Sequence, residues 1–413
     1  MRGAVHVDAA AVAAFVIRPA GTGAMPPRST ILLLGAIAAL GSLATQLLVP
    51  ALPSIASDLG IGIASAQLIL GVFLIGLGGG QLVVGPLGDK IDRRTMLLLG
   101  LAVYALGSLA GSLAGSFGVL LAARLAQAIG SAAGLVTARV LLNSMVPPER
   151  AVAAQASLMA VVLISPALAP VIGGLLAEFI GWRAIMALLC VAALIAALVV
   201  FRAVPRSAEP DRVAGTPPLR HAYGRILANR RFFAATAAMA FGSAALYVFL
   251  GAMPFLLENA YHLSPRQTGL CLLLIASASI VGTRVVGMLQ QRTEPLIMGG
   301  LLNLAAVLAL VALAGNGPLE LWLLLVPLAI VGLCAGIIGP SAIGHVLASE
   351  PGAEGAATSL AGALQMGASA LFTWLLGSYA ATSAWHLGLA LLPLAAAAAM
   401  AAFAVRRVAL PKM

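Results

Sequence analysis

Gly85-Pro86-Leu87-Gly88-Asp89-Lys90-Ile91-Asp92-Arg93-Arg94 stands between two long apolar runs, 68–87 and 95–114. Five of its last six residues are charged, in a chain where only 9% of residues are. A ten-residue stretch of glycine, proline and alternating charge between two membrane-length segments reads as a solvated hinge joining two bilayer-crossing helices.

The rest of the chain agrees. Apolar residues make up 62% of the 413 and mean hydropathy is +1.07, against roughly 45–50% apolar content in a soluble domain. A bilayer core of about 30 Å takes about 20 apolar residues per helix, so this length supplies about a dozen spans with short loops. Only helices or closed barrels satisfy the backbone in lipid, and these runs are long and unalternating. The fold class expected is an all-α polytopic membrane protein.

Twelve spans are expected: 30–52, 66–87, 95–114, 117–145, 151–178 and 182–202, then 231–257, 266–290, 294–315, 319–346, 353–380 and 384–405. They divide the chain into an N-terminal bundle of six helices (29–202), a proline- and arginine-rich solvated linker (203–230), a second bundle of six (231–405) and a short tail (406–413). In the leading segment, 1–28, Asp8 and Arg18 bracket an apolar stretch too brief to span a membrane. That segment reads as a disordered tail or as residues upstream of a natural start at Met25.

The net charge of +10 invites a nucleic-acid reading, which its placement excludes. With the first span running outward, sixteen Lys and Arg fall in loops and tails on the inner side and two, Arg183 and Arg266, on the outer. Both termini are therefore expected in the cytoplasm. Cys190, Cys271 and Cys334 lie singly in apolar runs, with no spacing for a metal or a disulfide framework. Gly107, Gly111 and Gly115 make a small-residue ladder, and Gly76, Gly78, Gly79 and Gly80 offer close helix approach. No strand precedes these glycines, so they are not a nucleotide loop, and no cofactor is expected.

Three cations, Arg124, Arg139 and Arg284, lie inside spans, where an uncompensated charge costs at least about 2.5–3.5 kcal/mol. Arg124, Gln127 and Ser131 share one helix face by their spacing. Pro166 and Pro170 each remove a backbone donor from span 5 and bend it, and Gly173-Gly174 lets it cross a neighbour closely.

The opening loop resembles the signature G-x-L-x-D-x-x-G-R-R/K between helices 2 and 3 of the major facilitator superfamily, with Asp92 where that family has glycine. Arg124 to Gly130 resembles its span-4 motif R-x-x-Q-G-x-G, with Ala128 in place of the middle glycine. Ser165-Pro166-Ala167-Leu168-Ala169-Pro170-Val171-Ile172-Gly173-Gly174 resembles its antiporter motif. Thr45-Gln46-Leu47-Leu48-Val49-Pro50-Ala51-Leu52-Pro53 is similar to the T-D-M-Y-L-P-A-L-P of the bicyclomycin-resistance (Bcr/CflA) drug:proton antiporters. The resemblance runs from about residue 30 to 405. It implies two six-helix bundles working by alternating access in a bacterial inner membrane. Gly85, Gly88, Asp89, Arg93 and Arg94 would serve the inner gate, with Pro166, Pro170, Gly173 and Gly174 as conformational elements.

One departure touches the chemistry. The span-1 acid that the resemblance implies is Gln46 here, and Asn143-Ser144 replaces an R-D pair. Each of the thirteen acids lies in a loop, a tail or the last turn of a span. Proton traffic is left to end groups such as Glu178, Glu258 and His345; otherwise a cationic substrate carries the gradient, or transport is uncoupled. A cavity without acids suits neutral or weakly anionic amphiphiles. Candidate substrate or coupling residues are Gln46, Arg124, Gln127, Arg139, Tyr247, Phe249, Gln365 and Trp374. The expected function is export of small amphiphilic compounds, with proton exchange as one option, by a monomer in the bilayer; the alternative is an exporter or facilitator of a metabolite (a sugar, nucleoside or amino-acid derivative) of the same fold without proton coupling. An intramembrane enzyme needs a convergent Ser/His/Asp set, paired acids or an H-E-x-x-H helix, and five scattered histidines argue against one.

Overall fold

Proline, glycine and charge break the apolar sequence, and they break the chain into helices at the same places. The computed structural model describes residues 27–88, 91–204, 219–289, 293–315, 317, 319–349 and 353–409. The expected tail before residue 27 and the loop residues Asp89 and Lys90 lie outside the described residues.

In the first half the helices are α1 (Arg28–Leu48), α2 (Leu52–Asp58), α3 (Ile63–Gly88), α4 (Arg93–Ser112), α5 (Phe117–Ser144), α6 (Pro148–Phe179) and α7 (Trp182–Ala203). A short helix, α8 (Leu219–Ala228), precedes the second half. There follow α9 (Arg230–Tyr261), α10 (Pro265–Leu289), α11 (Pro295–Ala314), α12 (Leu321–Leu347), α13 (Glu354–Ala380) and α14 (Ala384–Ala409). Among the described residues there is no strand, and twelve stretches are long and apolar enough to cross a membrane. The protein is an all-α polytopic membrane protein of two six-helix bundles.

Beyond shifts of a few residues at helix ends, two features differ from the expectation. The first span is interrupted: α1 stops at Leu48, a 3₁₀ turn covers Val49–Ala51, and α2 restarts with Pro53 in its first turn. Pro50 and Pro53 each lack the N–H that an unbroken helix needs. The solvated linker also contains α8, whose Ile226 is fully buried beside Phe232 and Ala357.

Local chemistry sets the helix ends. Asp92, the residue out of step with the family loop, caps α4: its Oδ2 accepts from the Thr95 amide (3.0 Å) and the Thr95 hydroxyl (3.2 Å), relieving the orphan donors of a helix start. Asn229 caps α9 through the amides of Arg231 and Phe232. Within α6, Pro166 leaves the Val162 carbonyl without its helical donor, and the Ser165 hydroxyl donates to that carbonyl at 2.8 Å.

With twelve spans, the start of α1 and the end of α14 lie on one side of the bundle, here the terminal face; the other is the opposite face. Within the first half, glycines bring backbones together. A Cβ at Gly107 would lie 2.7 Å from the Gln127 amide nitrogen, and one at Gly76 would lie 2.8 Å from the Ala128 methyl. Gly115 falls in the turn after α4 with open space around it, so the ladder stops at Gly111. Leu106 and Leu113, 66% and 75% exposed, show the outer surface expected against lipid.

Two lateral seams join the halves. In one, α3 crosses α13: Gly71 faces Ala370 and Gly78 faces Met366 and Ala363. In the other, α6 crosses α10: a Cβ on Gly174 would lie 2.3 Å from the Pro265 carbonyl oxygen, and one on Gly269 would lie 2.4 Å from that of Pro170. At the opposite face the 3₁₀ turn and α2 also pack against α9.

Candidate functional site

Arg124 sits seven residues inside α5 and is wholly enclosed. Its Nε donates to the Ile69 carbonyl (3.4 Å) and its Nη1 to the Ala44 carbonyl (3.2 Å) and Gln127 Oε1. Its guanidinium lies 4.1 Å from the centre of the Phe73 ring, a cation–π contact. Gln127 Nε2 donates to Ser108 Oγ (2.8 Å), which donates to the Tyr104 carbonyl, and the Tyr104 hydroxyl reaches the Leu40 carbonyl (3.0 Å). This network ties α1, α3, α4 and α5 together without a carboxylate. Its Nη2 alone has no hydrogen-bond partner. Ser131 is buried on the same face and bonds its own helix at Ala128. The spacing thus brought Arg124 and Gln127 together, in a packed interior.

The antiporter stretch lies at a junction of three helices. Gly173 meets α1, where a Cβ would fall 1.9 Å from the Leu47 carbonyl oxygen, while Gly174 meets α10. Beyond it, Glu178 reaches across the halves: its Oε2 accepts from Ser264 Oγ (2.6 Å) and the Arg266 amide (3.1 Å). Those donors form the N-terminus of α10, the end of a helix that favours an anion. Glu258 is exposed on the last turn of α9, and its carboxylate has no hydrogen bond or ion pair among the described residues.

At the terminal face, Arg139 is exposed on α5 beside α6. Its guanidinium approaches Met159 Sδ (3.6 Å), and Gln155 donates to both its carbonyl and Asn143 Oδ1. Arg284 on α10 is exposed at the matching depth, five residues from its helix end. Arg94 donates to the Phe201 carbonyl on α7 and stacks over the Phe201 ring. In this conformation it binds within its own half. Gly85 and Gly88 close α3, and the expected gate acid, Asp89, lies outside the described residues. His345 sits near Arg231 (3.4 Å) in a cavity of about 270 Å³ that Glu294 and Arg406 also line.

The remaining candidates separate by helix face. Gln46 and Tyr247 are half-buried. Gln365 lines a cavity of about 70 Å³ with Ser243, Leu246 and Ile338, between α9, α12 and α13. Ser243 accepts a hydrogen bond from Ser369 there (3.1 Å). Phe249 is fully buried in the core among neighbouring helices. Trp374 is 49% exposed beside the exposed Leu371 and Leu375. Sequence reasoning missed Gln67, fully buried on α3, whose Nε2 donates to the Gly251 carbonyl of the other half (3.3 Å).

Comparison with known proteins places this geometry. The family model described as Major Facilitator Superfamily matches residues 32–373. Multidrug resistance protein D of Escherichia coli (strain K12) is 28% identical over 336 residues, covering 81% of this chain and 85% of that protein. A bicyclomycin resistance protein homolog of Haemophilus influenzae is 30% identical over 181 residues, 44% of this chain and 46% of its own length. Among solved structures, a bacterial homolog of the human lysosomal transporter Spinster, inward-facing and occupied, superposes with a TM-score of 0.75 at 16% identity. It covers 94% of this chain, which covers 97% of it.

Proposed function

The chain belongs to the Major Facilitator Superfamily, and from that premise we propose that it exports small amphiphilic compounds by alternating access of its two halves. The observation that carries this reading is the α6 junction. The stretch resembling the antiporter motif brings α6 into close backbone contact with α1 and with α10 at once, so it sits where the halves must part. The likeness to multidrug and bicyclomycin resistance proteins supplies the cargo class.

The terminal face is the cytoplasmic one, as the basic loops require, in a bacterial inner membrane. With the Glu178 latch and the α2–α9 packing closing the opposite face, this conformation opens to the cytoplasm. Cargo meets Gln46, Tyr247, Ser243 and Gln365 as neutral polar groups and Arg139 as the only charge among the proposed lining residues. Neutral and weakly anionic amphiphiles therefore fit better than cations. Asp89, Arg93 and Arg94 act at the inner gate, and Asp89→Asn keeps the fold but impairs export. Glu178 is committed to its latch, which leaves Glu258 as the outer-end acid free to exchange a proton. The protein works as a monomer.

The test is accumulation of neutral, anionic and cationic antibiotics in cells lacking their main pumps, with and without this protein and a protonophore. Lower accumulation of the neutral or anionic compounds, restored by the protonophore, is expected. Unchanged accumulation across the panel would sink the efflux reading.

A further inference from the structure

Gln67 is a polar side chain sealed inside the seam between the halves. It rises from α3, the first half, and its amide enters a space that two glycines of the second half leave free. A Cβ on Gly377 would lie 2.3 Å from Gln67 Oε1, and one on Gly251 would lie 3.6 Å from Gln67 Cγ. Nε2 is spoken for by the Gly251 carbonyl, but Oε1 is buried without a partner.

A second orphan lies beside it. Thr373 is fully buried one turn before Gly377 on α13, and its Oγ1 also has no partner. Its methyl group would meet the same Gly251 Cβ at 3.1 Å, so both side chains flank one glycine. One orphan is an acceptor and the other a hydroxyl that can donate. Native interiors rarely leave two such groups unmatched, because each has given up water and gained nothing. The groups belong to opposite halves, so rocking one half on the other changes their separation.

We propose that Gln67 and Thr373 pair in the alternate, oppositely open state, so that an unmet hydrogen bond here drives the halves away from the present conformation. They are positioning residues for transport and need touch no cargo. The proposal rests on the alternating-access reading and predicts which seam contact biases the equilibrium.

The test is a distance measurement by double electron–electron resonance in proteoliposomes. Spin labels are placed through Ser144→Cys and Ala348→Cys, at the exposed terminal-face ends of α5 and α12, after the three native cysteines are replaced by alanine. Wild type is expected to show two distances. Thr373→Val keeps the shape and deletes the hydroxyl; it should shift the ratio about fivefold toward the open terminal face, as loss of one ordinary hydrogen bond would. Thr373→Ser should restore the wild-type ratio. In a Gln67→Met background Thr373→Val should have no further effect. An unchanged ratio in Thr373→Val, or the same shift with and without Gln67, would overturn the pairing while leaving alternating access intact. A single distance in wild type would overturn both.

Discussion

Ser264 donates to Glu178 at 2.6 Å across the two halves, and the same carboxylate oxygen takes the Arg266 amide. The bond belongs to one conformation only, since opening the opposite face must pull α10 away from α6. Glu178→Gln keeps the shape and removes the charge that favours a helix N-terminus. A cysteine placed at the opposite-face end of α10 should then react severalfold faster with a membrane-impermeant maleimide. Equal rates would mean that the latch holds nothing.

Arg124 is expected to matter for stability before transport. Arg124→Leu leaves Gln127 Oε1 without its donor, at about 1–3 kcal/mol for an unsatisfied buried group, and takes a second donor from the helical carbonyls of Ala44 and Ile69. Thermal unfolding in detergent can be followed with a thiol-reactive dye, because Cys190 and Cys334 are buried and react only on unfolding. The midpoint should fall by several degrees. An unchanged midpoint with transport lost would instead make Arg124 a cargo contact.

Gly173→Ala and Gly174→Ala place a methyl group against backbone oxygens, which cannot turn aside as a side chain can. Each is expected to cost about 1–3 kcal/mol as overpacking and to abolish export. Gly79→Ala is the control, since a Cβ there has nothing within 4 Å, and export should be normal. Expression, unfolding midpoint and antibiotic accumulation read all three.

Asp92→Ala should destabilise by about 0.5–2 kcal/mol, the usual loss on removing a helix cap, whereas Asp92→Gly should cost only a few tenths. The glycine of the resembled family loop and the aspartate here are two ways of starting the same helix. A larger loss in Asp92→Gly would show that the carboxylate serves something beyond its cap.

Spans, hinge and motifs were legible because each is a local pattern: twenty apolar residues, a charged turn, two prolines and two glycines in order. Helix faces were not. Spans that are apolar all round carry little periodic signal, so nothing separated the buried Phe249 from the exposed Trp374. Arg124 and Gln127 could be paired by their spacing, but whether they face a cavity depends on α1, α3 and α4, which are distant in sequence. Gln67 escaped for the same reason. Its partners are glycines at 251 and 377, and a glycine advertises no contact. The helix α8 was hidden by the prolines and charges that precede it.

Arg183 ties α7 to the far end of α2 through Asp58 (2.7 Å) and to the turn after α4 through the Ala114 carbonyl (2.9 Å), and Trp182 holds Asp58 as well (3.2 Å). Three hairpin ends are thereby stapled at one corner of the first half. A reporter fixed to α2, α4 or α7 near that corner will trace the same trajectory, so the motion of the whole half can be followed from whichever site is easiest to label.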